Sequence, residues 1–300
     1  MPNREHSASV LKVVTASALS LGFLAGPVLA QGGPPPARAH TANSTQPVTL
    51  FAATQSPITT PYVEITVEGD RRIIRTNGIP AHLTGTFPNS GNPNAIAALN
   101  LTFSLPVTPT WRGVATYRDL GEMGVAVNGV VFDPTAAEWY LGQRNGGWQY
   151  DPLGGAVALG IDANHAHVQP DGHYHYHASP KGLFDELGVS PSAHSPIVGW
   201  SLDGHPIYAY YGWDDAGDVV AVSSSWQLKS GARPSGGDNP GGTYDGTFVA
   251  DYEYVAGAGT LDECNGRFAV TPEFPDGTYA YYITDMFPFI PRCFMATPAS

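Results

Sequence analysis

The sequence predicts an all-β fold, β-sandwich-like, with short strands, long loops and one or two short helices. Three observations carry that expectation. Gly and Pro number 35 and 27 in 300 residues, and each breaks a helical hydrogen-bond ladder at a cost of about 1 to 3 kcal/mol. Charged side chains make up 13% while aromatics reach 11%, the opposite of a disordered composition. Apolar residues alternate with polar ones in short runs bounded by turn residues, as half-buried strands require.

The elements follow in chain order. Residues 1–30 place Arg4 and Lys12 ahead of an apolar run from 13 to 24 and end in Val28-Leu29-Ala30. That is the layout of a signal peptide, with an apolar run too short to span a bilayer. Residues 31–60 open with QGGPPPARAHTANSTQPV and read as a Pro- and polar-rich linker and N-terminal segment. Residues 61–300 show no break in composition and read as a single β domain. Strands are expected at 62–67, 72–75, 101–105 and 124–132, the last interrupted by the turn pair Asn128-Gly129. Asp133 and Pro134 suit the start of a short helix ending near Gly142. A strand at 173–177 precedes a second short helix at 181–187, stopped by Gly188. Further strands are expected at 207–211, 247–254 and 278–284, and residues 223–246 read as a long surface excursion.

A faint echo links two of these segments. Aligning Gly172 with Gly277 sets GHYHYHASP over GTYAYYITD, so that Tyr174 and Tyr176 match Tyr279 and Tyr281. The echo reflects either two similar strands, one of which carries ligands, or coincidence between Tyr-rich strands.

A formal net charge of −12 lacks the basic footprint of a nucleic-acid binder. No second apolar run is long enough to cross a membrane, so the mature chain is expected to be exported, periplasmic or extracellular. In an oxidising compartment Cys264 and Cys293 suit one disulfide, two buried thiols being the alternative. No CxxC spacing points to metal ligation by this pair.

Seven of the ten histidines lie between 165 and 205, most densely in NHAHVQPDGHYHYH. Residues two apart share a strand face. Pro170-Asp171-Gly172 is a turn sequence, and a three-residue loop there pairs Gln169 with His173. Counting outward, Val168 opposes Tyr174, His167 opposes His175, Ala166 opposes Tyr176 and His165 opposes His177. One face then carries Val168, Ala166, Tyr174 and Tyr176 for a core. The other carries four imidazoles in a two-by-two array, placed to converge on a metal ion at about 2 Å. A one-residue slip would destroy both faces.

The motif Tyr174-His175-Tyr176-His177 resembles the YHYH family. The resemblance extends over most of the chain after about residue 60, through GVAVNG at 124–129, HVQPDG at 167–172, LDGHPIY at 202–208, LDECNG at 261–266 and FPFIPRC at 287–293. It implies export, makes 61–300 a YHYH-type domain, and marks His167, His175 and His177 as the centre of the pattern, with His165 and His173 outside it. It supplies no reaction.

Three imidazoles with an open position are the arrangement of catalytic zinc and of several copper sites. His205, in SLDGHP, is the distant candidate for a further ligand or else a turn residue. Asp203 suits either a turn or the orientation of a histidine, and Tyr174 and Tyr176 flank the ligands as outer neighbours. Asp262, Glu263 and Asn265 read as a capped loop or a separate oxygen site. All-imidazole ligation suits copper or zinc, ahead of iron, and poorly suits magnesium or calcium. Three functions compete: metal handling or a structural ion; a metal-dependent hydrolase or copper/iron oxidoreductase; and a carbohydrate or adhesion module using Trp111, Trp139, Trp148, Trp200, Trp213 and Trp226. Gly199-Trp-Ser-Leu-Asp203 lacks the second Gly of a serine-hydrolase elbow.

Overall fold

The computed structural model describes residues 38–299. The segment read as a signal peptide, residues 1–30, lies outside the described residues. The described chain is all-β, with one α-helix among its described residues, α1 (Lys181–Leu187), ending at Gly188.

Eight strands build the central sheet: β1 (Gly124–Ala126), β2 (Val131–Phe132), β3 (Ala166–Val168), β4 (Tyr174–Tyr176), β5 (Ile197–Ser201), β6 (Pro206–Tyr208), β7 (Gly266–Thr271) and β8 (Phe274–Tyr282). Their order is β7-β8-β6-β5-β1-β2-β4-β3. In the first half β1 and β2 form an antiparallel hairpin, β2 runs parallel to β4, and β4 is antiparallel to β3. The second half repeats this with β5, β6, β8 and β7 in the corresponding places. The halves meet where β1 lies antiparallel to β5, with Val125 opposite Trp200. Both central hairpins turn on a left-handed glycine, Gly129 at φ 84° and Gly204 at φ 93°, a conformation that costs a residue with a Cβ.

Alternation sorts the sheet's faces. Ala126, Phe132, Ala166, Val168, Tyr174, Tyr176, Ile207, Tyr279 and Tyr281 join one buried cluster with Leu183 and Phe184 of α1. Burying a side chain such as Phe132 or Ile207 stabilises the fold by about 1.5 to 3 kcal/mol. Val125 instead packs with Ile74, Leu105, Met123, Leu202 and Phe294. Ile74 and Leu105 belong to a three-stranded sheet of Val63–Glu68, Arg71–Thr76 and Leu101–Pro106. The strands expected in that region sit within a residue or two of their places.

β3 is an edge strand, and its outward backbone is met by three side chains and one backbone amide. The Val168 carbonyl accepts hydrogen bonds from the Asn92 and Asn94 amides at 2.9 and 2.8 Å. On the same edge, the Ala166 carbonyl accepts from Asp162 N–H and the Ala166 N–H donates to Asp162 Oδ1.

The structure departs from expectation in several places. The helix expected from Asp133 to near Gly142 does not form; Glu138–Tyr140 is a strand, parallel to Arg38–His40. Its partner lies about a hundred positions away, and local propensity carries no trace of it. The described part of the segment read as a linker is docked: Tyr150 donates to Ala42 O at 2.6 Å, and Phe51 N–H donates to Ile161 O at 2.9 Å. The excursion at 223–246 contains short strands at Trp226–Leu228, Ser235–Gly236 and Asn239–Pro240. In the 247–254 segment, only Tyr252–Tyr254 is a strand, after a 3-10 turn at Val249–Asp251. Cys264 and Cys293 are joined in a disulfide.

Candidate metal centre

β3 and β4 pair in the register read from the sequence: Val168 with Tyr174, His167 with His175, and Ala166 with Tyr176. The turn closes with Gln169 N–H donating to His173 O at 2.9 Å. Pro170 and Gly172 set the reversal, and strand alternation does the rest. The tyrosines face the core; the histidines face the other way.

His167, His175 and His177 present ligand atoms that all lie within 4.8 Å of one another. Their ring centroids form a nearly equilateral triangle of 4.7, 4.6 and 4.7 Å. His175 and His177 are buried, and His167 is partly accessible at the sheet edge. Backbone carbonyls orient two rings. His167 Nδ1 donates to Leu159 O at 2.9 Å, and His175 Nδ1 donates to His173 O at 3.1 Å. With the proton held at Nδ1, the lone pair of each ring is at Nε2, which is how a carbonyl prepares an imidazole for a metal. His177 is buried with neither ring nitrogen hydrogen-bonded. An unpartnered buried imidazole is costly, and an ion shared by the three rings would remove that cost.

The electrostatics suit neutral imidazoles. Burial pushes the His175 pKa well below its usual 6.5, and His167 and His173 add to the effect. Burial does the same to His177, helped by His167, His175 and the Arg292 guanidinium.

The remaining sequence candidates lie elsewhere. His165, just before β3, adopts a left-handed φ of 53°, and its Nδ1 donates to Ser179 O at 2.9 Å. The expected two-by-two array therefore has three members at the site, because the backbone turns before the fourth. His173 follows the turn directly; its ring centroid is 6.5 Å from that of His175, and it falls outside the group of three. His205 precedes β6, and three strands separate β6 from β4. It packs edge-on to Trp111, Tyr279 and Tyr281. Asp203 accepts from Tyr281 Oη at 2.6 Å in the same region and orients no ligand of the triad. Tyr174 and Tyr176 are on the opposite face; Tyr174 donates to Asp162 at 2.7 Å, and Tyr176 bonds His82 at 2.6 Å. Asp262 caps the turn before β7, accepting from Cys264 and Gly266 N–H, which fits the capped-loop reading.

Several groups near the site carry no signal in the sequence reading. Asp133 N–H donates to Tyr176 O, which puts Asp133 beside His177 at the sheet. Its carboxylate accepts from Gln169 Nε2 at 3.3 Å. Gln169 lies two residues beyond His167, so strand alternation alone could have found it. Burial raises the Asp133 pKa to about 6 and that of Glu122 to about 7. Arg292 is buried and donates through Nη2 to Asp151 at 2.8 Å. Its Nε and Nη1 have no hydrogen-bond partner, and its charge reaches both His177 and Asp133. Among the tryptophans, Trp139 is buried, and Trp200 lies under the Arg72 guanidinium at 3.2 Å. Trp111 is exposed beside Phe268.

A family model described as YHYH protein matches residues 102–296. No curated protein and no solved structure matches the chain.

Proposed function

The chain belongs to the YHYH protein family, and from that premise we propose an exported metal-binding domain that holds one transition-metal ion at His167, His175 and His177. Copper or zinc fits three neutral imidazoles better than iron does, and far better than magnesium or calcium. The ion serves metal handling or acts structurally. The carrying observation is the convergence of three ligand atoms within 4.8 Å on one strand pair. The disulfide and the acidic composition support an exported setting.

Elemental analysis of the purified protein tests this. About one equivalent of copper or zinc is expected in the wild type, with His175→Ala and His177→Ala each weakening retention by more than roughly 100-fold, beyond what an outer-shell change costs. Substoichiometric metal that these substitutions leave unchanged would sink the reading.

A metal-dependent enzyme is the second reading, favoured by Arg292. A guanidinium with two unpartnered buried donors beside the triad is suited to receive an anionic group at an open coordination position. Asp133, whose buried carboxyl has its pKa raised to about 6 and meets Gln169 two residues beyond His167, supplies a proton-holding group near the site. Cobalt(II)-loaded protein titrated with acetate should change its visible spectrum, and Arg292→Met should abolish the change while retaining cobalt. A spectrum indifferent to acetate favours the structural or handling role.

A further inference from the structure

The two halves of the central sheet agree well beyond strand order. Residues 124–132 align without a gap on 199–207, GVAVNGVVF over GWSLDGHPI. Across the dyad, Gly199 pairs with Ala126 and Ser201 with Gly124 about the central Val125–Trp200 pair. Ala126 N–H donates to Val130 O at 2.8 Å, and Ser201 N–H to His205 O at 2.9 Å. Asn128 bonds Tyr176 Oη at 2.9 Å, as Asp203 bonds Tyr281 Oη at 2.6 Å.

The outer hairpins agree as closely. Asp162 N–H donates to Ala166 O at 2.9 Å, and Asp262 N–H to Gly266 O at 2.9 Å. Tyr174 Oη donates to Asp162 Oδ2 at 2.7 Å, and Tyr279 Oη to Asp262 Oδ2 at 2.9 Å. His165 and Asn265 share a left-handed φ of 53° and 58°. Their carbonyls accept from His177 N–H at 2.8 Å and Tyr282 N–H at 2.9 Å. A left-handed non-glycine residue at the same point of both halves is unusual, and coincidence between Tyr-rich strands does not produce this set of matched bonds.

These bonds set the residue equivalences. His167 corresponds to Arg267, His175 to Ala280 and His177 to Tyr282. Arg267 pairs across the strands with Ala280, as His167 does with His175. The Arg267 guanidinium lies 5.3 Å from the Tyr282 ring centroid and donates to Trp213 O at 2.7 Å. The methyl group of Ala280 replaces a ring at the place where the first half has His175.

We infer that the sheet is a duplicated four-stranded unit, and that its second copy carries a latent metal site whose cation is the chain's own Arg267 guanidinium. The first half gathers neutral rings around an external ion. The second half covers an internal cation with an aromatic face and a carbonyl, a favourable pairing. The comparison of the two cations rests on the metal reading of the first half; the duplication does not.

The test is Arg267→His/Ala280→His/Tyr282→His, made together with His175→Ala/His177→Ala to silence the first site. The two larger side chains lost offset the volume added at Ala280. About one equivalent of copper(II) or zinc is expected in this variant, by elemental analysis and by the imidazole nitrogen couplings of copper(II) in electron paramagnetic resonance. The silenced parent should retain none, and so should Ala280→His/Tyr282→His with Arg267 in place. A folded triple variant that binds no metal overturns the inference. Arg267→Gln alone provides a measurement that needs no rebuilt site: it should lower Tm by about 3 °C or more, and a Tm equal to wild type also overturns it. Wild-type protein without metal would defeat the proposed function, whereas metal in the wild type and none in the triple variant would defeat only this inference.

Discussion

Asp133 and the buried imidazoles respond to pH in opposite senses. Burial raises the Asp133 carboxyl from 3.8 to about 6, so the folded chain holds this proton more tightly than the unfolded chain. Its contribution to stability is complete below the unfolded value and is lost as pH rises through about 6. Metal-free Asp133→Asn should therefore gain on the wild type by about 2 to 3 kcal/mol in urea unfolding between about pH 4 and pH 8. A difference that stays constant over this range would remove burial as the cause. His175 and His177, with pKa values lowered well below 6.5 by burial first and neighbouring charge second, behave oppositely. Their contribution is complete above pH 6.5 and is lost as pH falls through the lowered values. Both rings thus keep their lone pairs in mild acid, and the metal should remain bound below pH 6.5 on dialysis. Release with a midpoint at or above 6.5 would contradict this. His205→Ala is the control, expected to leave metal content unchanged.

The β3–β4 hairpin shows what a sequence can reveal about an element. Its register was legible because turn chemistry and period-two alternation are both local, and the same two rules sort histidines from tyrosines. The places of His165, Arg292 and the Leu159 carbonyl were not legible. The first depends on a left-handed backbone angle, the others on chain segments brought in from a distance. The strand at Glu138–Tyr140 was hidden for the same reason, since its partner is Arg38–His40. The echo between the two Tyr-rich strands was visible as letters, but only paired hydrogen bonds give it structural meaning. Gly172 tests the hairpin as a unit. It has φ 92°, and a Cβ there would meet the Ala97 Cβ at 2.4 Å. Gly172→Ala should cost about 1 to 3 kcal/mol in chemical denaturation and weaken metal retention. Unchanged stability would mean that the turn does not hold the register.

At the scale of the whole molecule, the Cys264–Cys293 bond ties the turn before β7 to the strand Cys293–Ala296 across 29 positions. Cys264→Ala/Cys293→Ala should lose about 3 to 4 kcal/mol, or about 7 to 14 °C in Tm by calorimetry. A loss under about 2 °C would show that packing around Cys264 and Cys293 already holds these segments together. The asparagine-capped edge at β3 has a different consequence, for how copies of the protein behave toward each other. An open edge rich in strand-forming residues is a template on which further chains can polymerise. Here Asp162 takes both outward groups of Ala166, one with its backbone N–H and one with its carboxylate, while Asn92 and Asn94 take the Val168 carbonyl, so three residues act as a terminator. Asn92→Ala/Asn94→Ala should aggregate in a concentration-dependent way by light scattering while the wild type stays dispersed. His167 can therefore sit at the rim of the sheet, within reach of an ion, without the rim also recruiting other copies of the chain.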